Sequence, residues 1–332
     1  MNRSTTPAIA VTGLRKSFGS NLVLDGIDIT VEPGTVFAML GPNGAGKTTT
    51  VKILTTLIKA DAGAVRVAGL DLTAEPDAVR AAIGVTGQFS AIDGLLTGEE
   101  NLLLMADLHH LDRRSRRPRA RHLLERFDLA DVAGKPAGTY SGGMRRRLDL
   151  AMGLIGNPRI VFLDEPTTGL DPRSRQTAWQ IVRDLVADGV TIFLTTQYLD
   201  EADELADRIA VLNHGALVAE GTPAELKRMV PGGHVTLRLP DADGLDRAAG
   251  ALPGSTPDTA QLTLQVPSDG SVGALRSLLE RLDHAAVDVA DLSVHTPDLD
   301  DVFLALTDEK LSDEKLSDEK LTDETLTKEI RR

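Results

Sequence analysis

The sequence predicts an α/β protein: a doubly wound, mainly parallel sheet with a helical subdomain and an antiparallel β part, followed by a small α+β domain. Three observations lead there. Short apolar, β-rich runs at 35–40, 159–163 and 190–194 alternate with segments of helical apolar pattern, as crossover-linked parallel strands do. The first of these runs ends at a glycine-rich turn that opens a helix. Near Met229 the pattern changes, and a Pro-Gly-Gly breaker at 231–233 leads into shorter strand-like runs.

Taken in order, strands are expected at 9–14, 28–31 and 35–40, and a helix from Lys47 onward through the apolar spacing of TTTVKILTTLI. Further helices are expected at 99–109, 119–127, 143–155 and 172–187, with strands at 159–163 and 190–194 between them. The second domain should contain strands at 235–239 and 261–266, a helix at 272–282, a strand at 287–294 and a last helix at 299–306. This gives a first domain over 1–230, an accessory α+β domain over 231–307, and a tail over 308–332. The tail repeats DEKLS, DEKLS, DEKLT, DETLT, a period of five that would set successive leucines about 140° apart on a helix. They spiral instead of forming a stripe, so a solvated, disordered segment is expected.

Bulk composition narrows the function. The net charge of −13 argues against a protein held mainly by nucleic-acid phosphates, which takes clustered Lys and Arg. With no cysteine, disulfides, thiolate metal sites and thiol catalysis are excluded together. No stretch reaches the roughly 20 apolar residues that span a bilayer, and the first residues lack the apolar core of a secretory signal. A chain that remains inside the cell is expected, reaching any membrane process through a partner.

Three motifs carry chemistry. Gly41-Pro42-Asn43-Gly44-Ala45-Gly46-Lys47-Thr48 satisfies the phosphate-loop pattern and lies between an apolar strand and a helix, where a P-loop NTPase fold places it. The glycines let backbone N–H groups turn toward phosphate oxygens, and the helix end adds its positive dipole. Lys47 brings a full charge to the β- and γ-phosphates, Thr48 a hydroxyl suited to Mg²⁺, and Thr49 continues the cradle. The second motif is the apolar run Ile160-Val161-Phe162-Leu163 ending in Asp164-Glu165. Burying unpaired carboxylates is costly, and Mg²⁺ held through Asp164 would resolve it, leaving Glu165 to polarise the attacking water. The third is Tyr140-Ser141-Gly142-Gly143-Met144, which opens a helix and so presents an anion-binding end.

These residues resemble the signature of ATP-binding cassette proteins, and phosphate loop, signature, acid pair and Gly169-Leu170-Asp171 stand in that family's order over roughly residues 9–229. The resemblance implies a Mg²⁺ and water contact at Gln88, adenine stacking on Phe18, and a homodimer. In that dimer Ser141, Gly142 and Gly143 of one copy cap the ATP held by the other, with Asp171 at the seam. It also implies a separate multi-span permease, attachment to the cytoplasmic face of the membrane, and no nucleic-acid partner. Gln197 stands where most relatives carry His; its amide can donate to the γ-phosphate but cannot titrate, which leaves Glu165 as the main activating group. Gln197, the ending Thr296-Pro297-Asp298-Leu299-Asp300-Asp301 and the small C-terminal domain resemble the daunorubicin-resistance type, which implies efflux of a hydrophobic drug or antibiotic. The alternatives are a soluble cassette protein acting on ribosomes or DNA, whose relatives commonly carry two cassettes or inserted modules, and an import ATPase. The basic run RRSRRPRAR at 113–121 lacks interleaved aromatics and reads as a solvated helix edge.

Overall fold

Alternating hydrophobicity makes the first hairpin. In the computed structural model, which describes residues 6–87, 91–229, 233–295 and 297–306, β1 (Ile9–Phe18) pairs antiparallel with β2 (Asn21–Val31). Ile9, Val11 and Leu14 bury one face of β1, and Leu24, Ile27, Ile29 and Val31 bury the matching face of β2. Then come β3 (Val36–Leu40), buried at every position, and α1 (Lys47–Leu54). β4 (Ala62–Val67) pairs antiparallel with β1, and the short β5 (Leu70–Asp71) completes a four-stranded sheet ordered β2-β1-β4-β5.

The chain next builds α2 (Pro76–Ala82), β6 (Ile83–Thr86), α3 (Gly98–Leu108), α4 (Arg116–Arg126) and α5 (Gly142–Gly153). β7 (Ile160–Asp164), α6 (Pro172–Ala187), β8 (Thr191–Thr196), α7 (Leu199–Leu205), β9 (Arg208–Asn213) and β10 (Ala216–Gly221) follow. The second sheet has six strands in the order β10-β9-β3-β8-β7-β6, parallel throughout except for β10. Its central strands β3, β8 and β7 are buried at every position, so they read as continuous apolar runs. Register places Phe37 and Phe162 on either side of Phe193, and each ring pair is separated by 5.5 Å, a packed aromatic layer through the sheet.

Helix starts are set by local chemistry. Thr97 and Glu100 form a reciprocal capping box at α3, Ser141 caps α5, and Asp171 caps α6 with Pro172 at its first turn. The expected helix at 119–127 starts earlier, at Arg116, because Arg116 and Arg119 gain partners in Asp107 and the Leu154 carbonyl. Arg113, Arg114, Arg117 and Arg121 of the basic run remain exposed.

The chain divides into two compact units, Met1–Pro223 and Ala224–Arg332, and α8 (Pro223–Met229) spans the point of division. The second unit contains β11 (His234–Arg238), α9 (Ala242–Ala251), β12 (Thr256–Asp258), β13 (Thr263–Pro267), α10 (Val272–His284) and β14 (Asp291–His295). Its antiparallel sheet runs β12-β13-β11-β14. Val235, Leu237, Leu245, Leu264, Leu278 and Leu282 fill its core. The strand expected at 287–294 is confined to Asp291–His295; Val287 is buried in the core ahead of it.

Candidate functional site

Parallel register brings the chemistry to one edge of the six-stranded sheet. Leu40 lies level with Thr196, and Asp164 with Thr195. The loop after β3, the acids ending β7 and the turn after β8 therefore leave the sheet side by side, at the carboxyl ends where doubly wound folds bind ligands. Gly44 and Gly46 take left-handed conformations, with φ of 83° and 112°. At Gly46 a Cβ would fall 2.6 Å from a Leu24 methyl and 3.0 Å from the Val23 carbonyl oxygen, so the tight loop requires glycine there. Gly46 has no side chain to cap α1, which leaves first-turn amides of that helix free to meet an anion.

Lys47 opens α1 and is 4% exposed. Its Nζ donates to the carbonyls of Gly41 (2.7 Å) and Pro42 (3.1 Å) and lies 3.7 Å from Glu165 Oε1. Burial pushes the ammonium below the usual lysine range, while Glu165 and Asp164 draw it back up. Asp164 Oδ1 accepts hydrogen bonds from the Thr48 hydroxyl (3.2 Å) and the Thr195 hydroxyl (2.5 Å). Glu165 sits at φ 49°, a left-handed conformation unusual for a glutamate, and its N–H is fixed by the Thr195 carbonyl at 3.0 Å. Such strain, worth about 1–3 kcal/mol, collects at functional positions.

A hydroxyl beside a carboxylate is a hard-oxygen donor set that suits Mg²⁺. Among the described residues no group of three His, Cys, Asp or Glu could hold a metal, so the remaining ligands would come from phosphate and water, as is usual for this ion. The cradle thus fits a magnesium polyphosphate.

The signature residues lie elsewhere. Ser141 accepts from the Met144 N–H at 3.2 Å, and Ser141, Gly143, Arg146, Arg147, Leu170 and Ser174 border a cleft of about 240 Å³ whose lining contains no phosphate-loop residue. A Cβ at Gly143 would meet Ser174 Oγ at 2.6 Å, so α5 and α6 approach closely there. Phe18 is exposed at the end of β1, with Lys16 Nζ 5.3 Å from its ring centre. Gln197 follows β8 and is half-buried. Gln88 falls outside the described residues, but α5 reaches both of its flanks: Arg146 donates to the Gly87 carbonyl (3.2 Å), and Asp149 Oδ1 accepts from the Ala91 N–H (3.2 Å).

Tyr140, the first residue of the signature, is a strut. It is 4% exposed, and its hydroxyl donates to the Val132 carbonyl at 2.7 Å. The sequence reading missed Thr195, which orders both acids, and the fully buried Glu201. Thr195 could have been found from its place level with Asp164 on the next strand; Glu201, inside an acidic helix, carries no such signal.

A sequence model of the ABC transporter family matches residues 24–168. The daunorubicin resistance ATP-binding protein DrrA3 of Streptomyces coeruleorubidus is 50% identical over 90% of this chain and 96% of its own length. The daunorubicin/doxorubicin resistance ATP-binding protein DrrA of Streptomyces peucetius is 46% identical over 92% of this chain and 94% of its own. Among solved structures, an ATP-binding cassette in a dimeric post-hydrolysis state with ADP and Pi superposes with a TM-score of 0.58 at 26% identity, covering 64% of this chain and 98% of that one.

Proposed function

The chain belongs to the ABC transporter family as an ATP-hydrolysing subunit, and from that premise we propose that it drives efflux of a hydrophobic drug or antibiotic through a separate permease. The observation that carries the hydrolytic part is the convergence of Lys47, Thr48, Asp164 and Glu165 at one sheet edge. Likeness to the resistance proteins extends over nine-tenths of the chain, well past the cassette, and supports export. Among the described residues no helix is long and apolar enough to cross a membrane, so the conduit is assigned to the partner.

The proposed roles follow from the geometry. The Gly41–Thr49 loop wraps the phosphates with its amides, and Lys47 exchanges its carbonyl partners for β- and γ-phosphate oxygens. When bound, Mg²⁺ would neutralise phosphate charge, held by the Thr48 hydroxyl and by Asp164 through water. Glu165 orients and polarises the attacking water, and Gln197 donates its amide to the γ-phosphate. Phe18 offers an exposed face for the adenine. Ser141 and Gly143 line a cleft that no phosphate-loop residue reaches, which supports a head-to-tail homodimer in which the signature end formed by Ser141, Gly142 and Gly143 caps the partner's ATP.

Glu165→Gln tests the assignment. Phosphate release should fall by at least about 100-fold while ATP still binds, because the amide keeps the shape and loses the base. With ATP and Mg²⁺ the variant should also run as a dimer by light scattering, in the presence of permease if assembly needs it. Normal turnover, or a trapped nucleotide-loaded monomer, would refute the mechanism.

A further inference from the structure

Helices α6 and α7 are joined by three rungs. Arg175 pairs with Asp200 (2.9 Å), the Trp179 indole N–H donates to Glu201 Oε1 (3.2 Å), and Arg183 pairs with Glu204. Positions 175, 179 and 183 recur every fourth residue, which stacks them along one helix face. The outer rungs are ion pairs at the solvent boundary and individually worth little. The middle one differs, since Glu201 is 0% exposed.

A wholly buried carboxyl is a costly choice for holding two helices together, and a leucine would fill the space without desolvating a charge. Its surroundings account for it. Burial raises the Glu201 pKa, and the hydroxyls of Thr196 and Thr167 together with the Trp179 indole draw it back down, although Oε2 closes no hydrogen bond of its own. Thr196 immediately precedes Gln197; Thr167 lies in the turn between Glu165 and Asp171; Trp179 belongs to the helix that Asp171 caps. Arg146 of the signature helix feels the same carboxylate electrostatically. The bond to Trp179 therefore joins α7, which follows the γ-phosphate turn, to the seam helix.

We propose that Glu201 is a positioning residue for hydrolysis: through its hydrogen bond to Trp179 it fixes α7, the helix that follows the turn carrying Gln197, to the helix that opens at Asp171, so the group facing the γ-phosphate and the loop at the dimer seam move as one body. The proposal rests on the hydrolase reading given above. Binding in one site is then felt at the seam without any wider rearrangement.

Trp179 is the single tryptophan of the chain, so its emission reports this rung directly. The test uses the full chain, with phosphate release and Trp179 fluorescence followed during titration with ATP and Mg²⁺. In Glu201→Ala, kcat should fall by about tenfold or more with KM for ATP held within about threefold, as expected for misplacement without lost binding. The emission change on ATP addition should disappear. Glu201→Gln should restore much of the turnover, because its amide oxygen still accepts the indole N–H. Trp179→Phe should lower kcat as Glu201→Ala does, and the double variant should be no slower than either single one.

Wild-type kcat in folded Glu201→Ala overturns the proposal, and so does strict additivity in the double variant. If Glu201→Ala does not fold, Trp179→Phe decides: an unchanged kcat there overturns it. Glu165→Gln run alongside separates the two layers. Should that variant hydrolyse ATP normally, the hydrolase reading has failed; should it be inactive while Glu201→Ala and Trp179→Phe are normal, only the coupling has failed.

Discussion

The two units of the molecule bury different kinds of side chain. In the second unit every buried side chain among the described residues is apolar, from Val235 and Leu237 to Leu299 and Val302. The first unit buries Lys47, Asp149, Asp164, Glu165 and Glu201 beside its leucines and phenylalanines, and holds Glu165 in a strained conformation. Packing alone accounts for the second unit. Nothing about packing calls for the charges of the first, since each one buried costs stability unless it is paired. Lys47, Asp164 and Glu165 gather around the carboxyl ends of β3, β7 and β8, where register brings a phosphate loop and two acids together. The difference separates residues that make the fold from residues that make the chemistry, and it can be attacked from both sides.

The largest effect should come from Gly46→Ala in the first unit. The new methyl meets Leu24 and the Val23 carbonyl in a loop already at φ 112°. Opening the cradle to accept it should weaken ATP binding by about 30-fold or more, the equivalent of about 2 kcal/mol. A fluorescent nucleotide titration measures this directly. Binding within threefold of wild type would show that the loop does not shape the site, and the contrast between the units would lose its basis.

How much of this was legible from residues alone follows the same division. β3, β7 and β8 were readable because strands buried on both faces carry unbroken apolar runs, and the loop after β3 was readable because its glycines are dictated by backbone geometry. β4, AGAVRV, was missed because only Val65 and Val67 are buried and its glycine and alanines blur the alternation. The β9–β10 hairpin was also missed, although its His214-Gly215 turn, with φ of 46° and 76°, is the kind of pair that joins tight hairpins. Helix α9 was missed although its apolar residues share one face, with Leu245 and Ala248 buried three positions apart. Tyr140 and Glu201 were opaque for a deeper reason. A tyrosine beside a signature and a glutamate in an acidic helix both resemble surface residues until the chain folds over them.

A blow to the second unit should be of intermediate size and confined to stability. Leu237 is fully buried in β11, level with Leu264 on β13 and Leu292 on β14. Leu237→Ala removes that contact and leaves a cavity, a loss of about 2–5 kcal/mol. For a unit of this size the calorimetric transition should drop by roughly 10 °C or more. ATP affinity, measured below that transition, should remain within twofold. If affinity falls together with stability, the second unit contributes to the nucleotide site and the separation drawn above is wrong.

The smallest effect probes the most unusual buried charge. The pKa of Glu201 is raised in the folded chain, chiefly by burial, with Asp200 pushing in the same direction and the Thr196, Thr167 and Trp179 hydrogen-bonding groups opposing. A carboxyl with a folded pKa above its unfolded one favours folding while protonated, and that advantage is lost as pH rises through the folded value. Glu201→Gln keeps the shape and cannot titrate, so the variant should gain on wild type as pH rises. The gap in melting temperature should be smallest near pH 5 and wider by about 2–4 °C at pH 8, a modest shift for a unit of this length. Arg146, half-buried and attracted to Glu201, would shrink the gap if it moved closer as the carboxyl ionised. A gap that stays flat across the range would mean that Glu201 titrates as it does in the unfolded chain. Its charge would then cost the fold nothing, and the first unit would resemble the second more closely than the burial pattern implies.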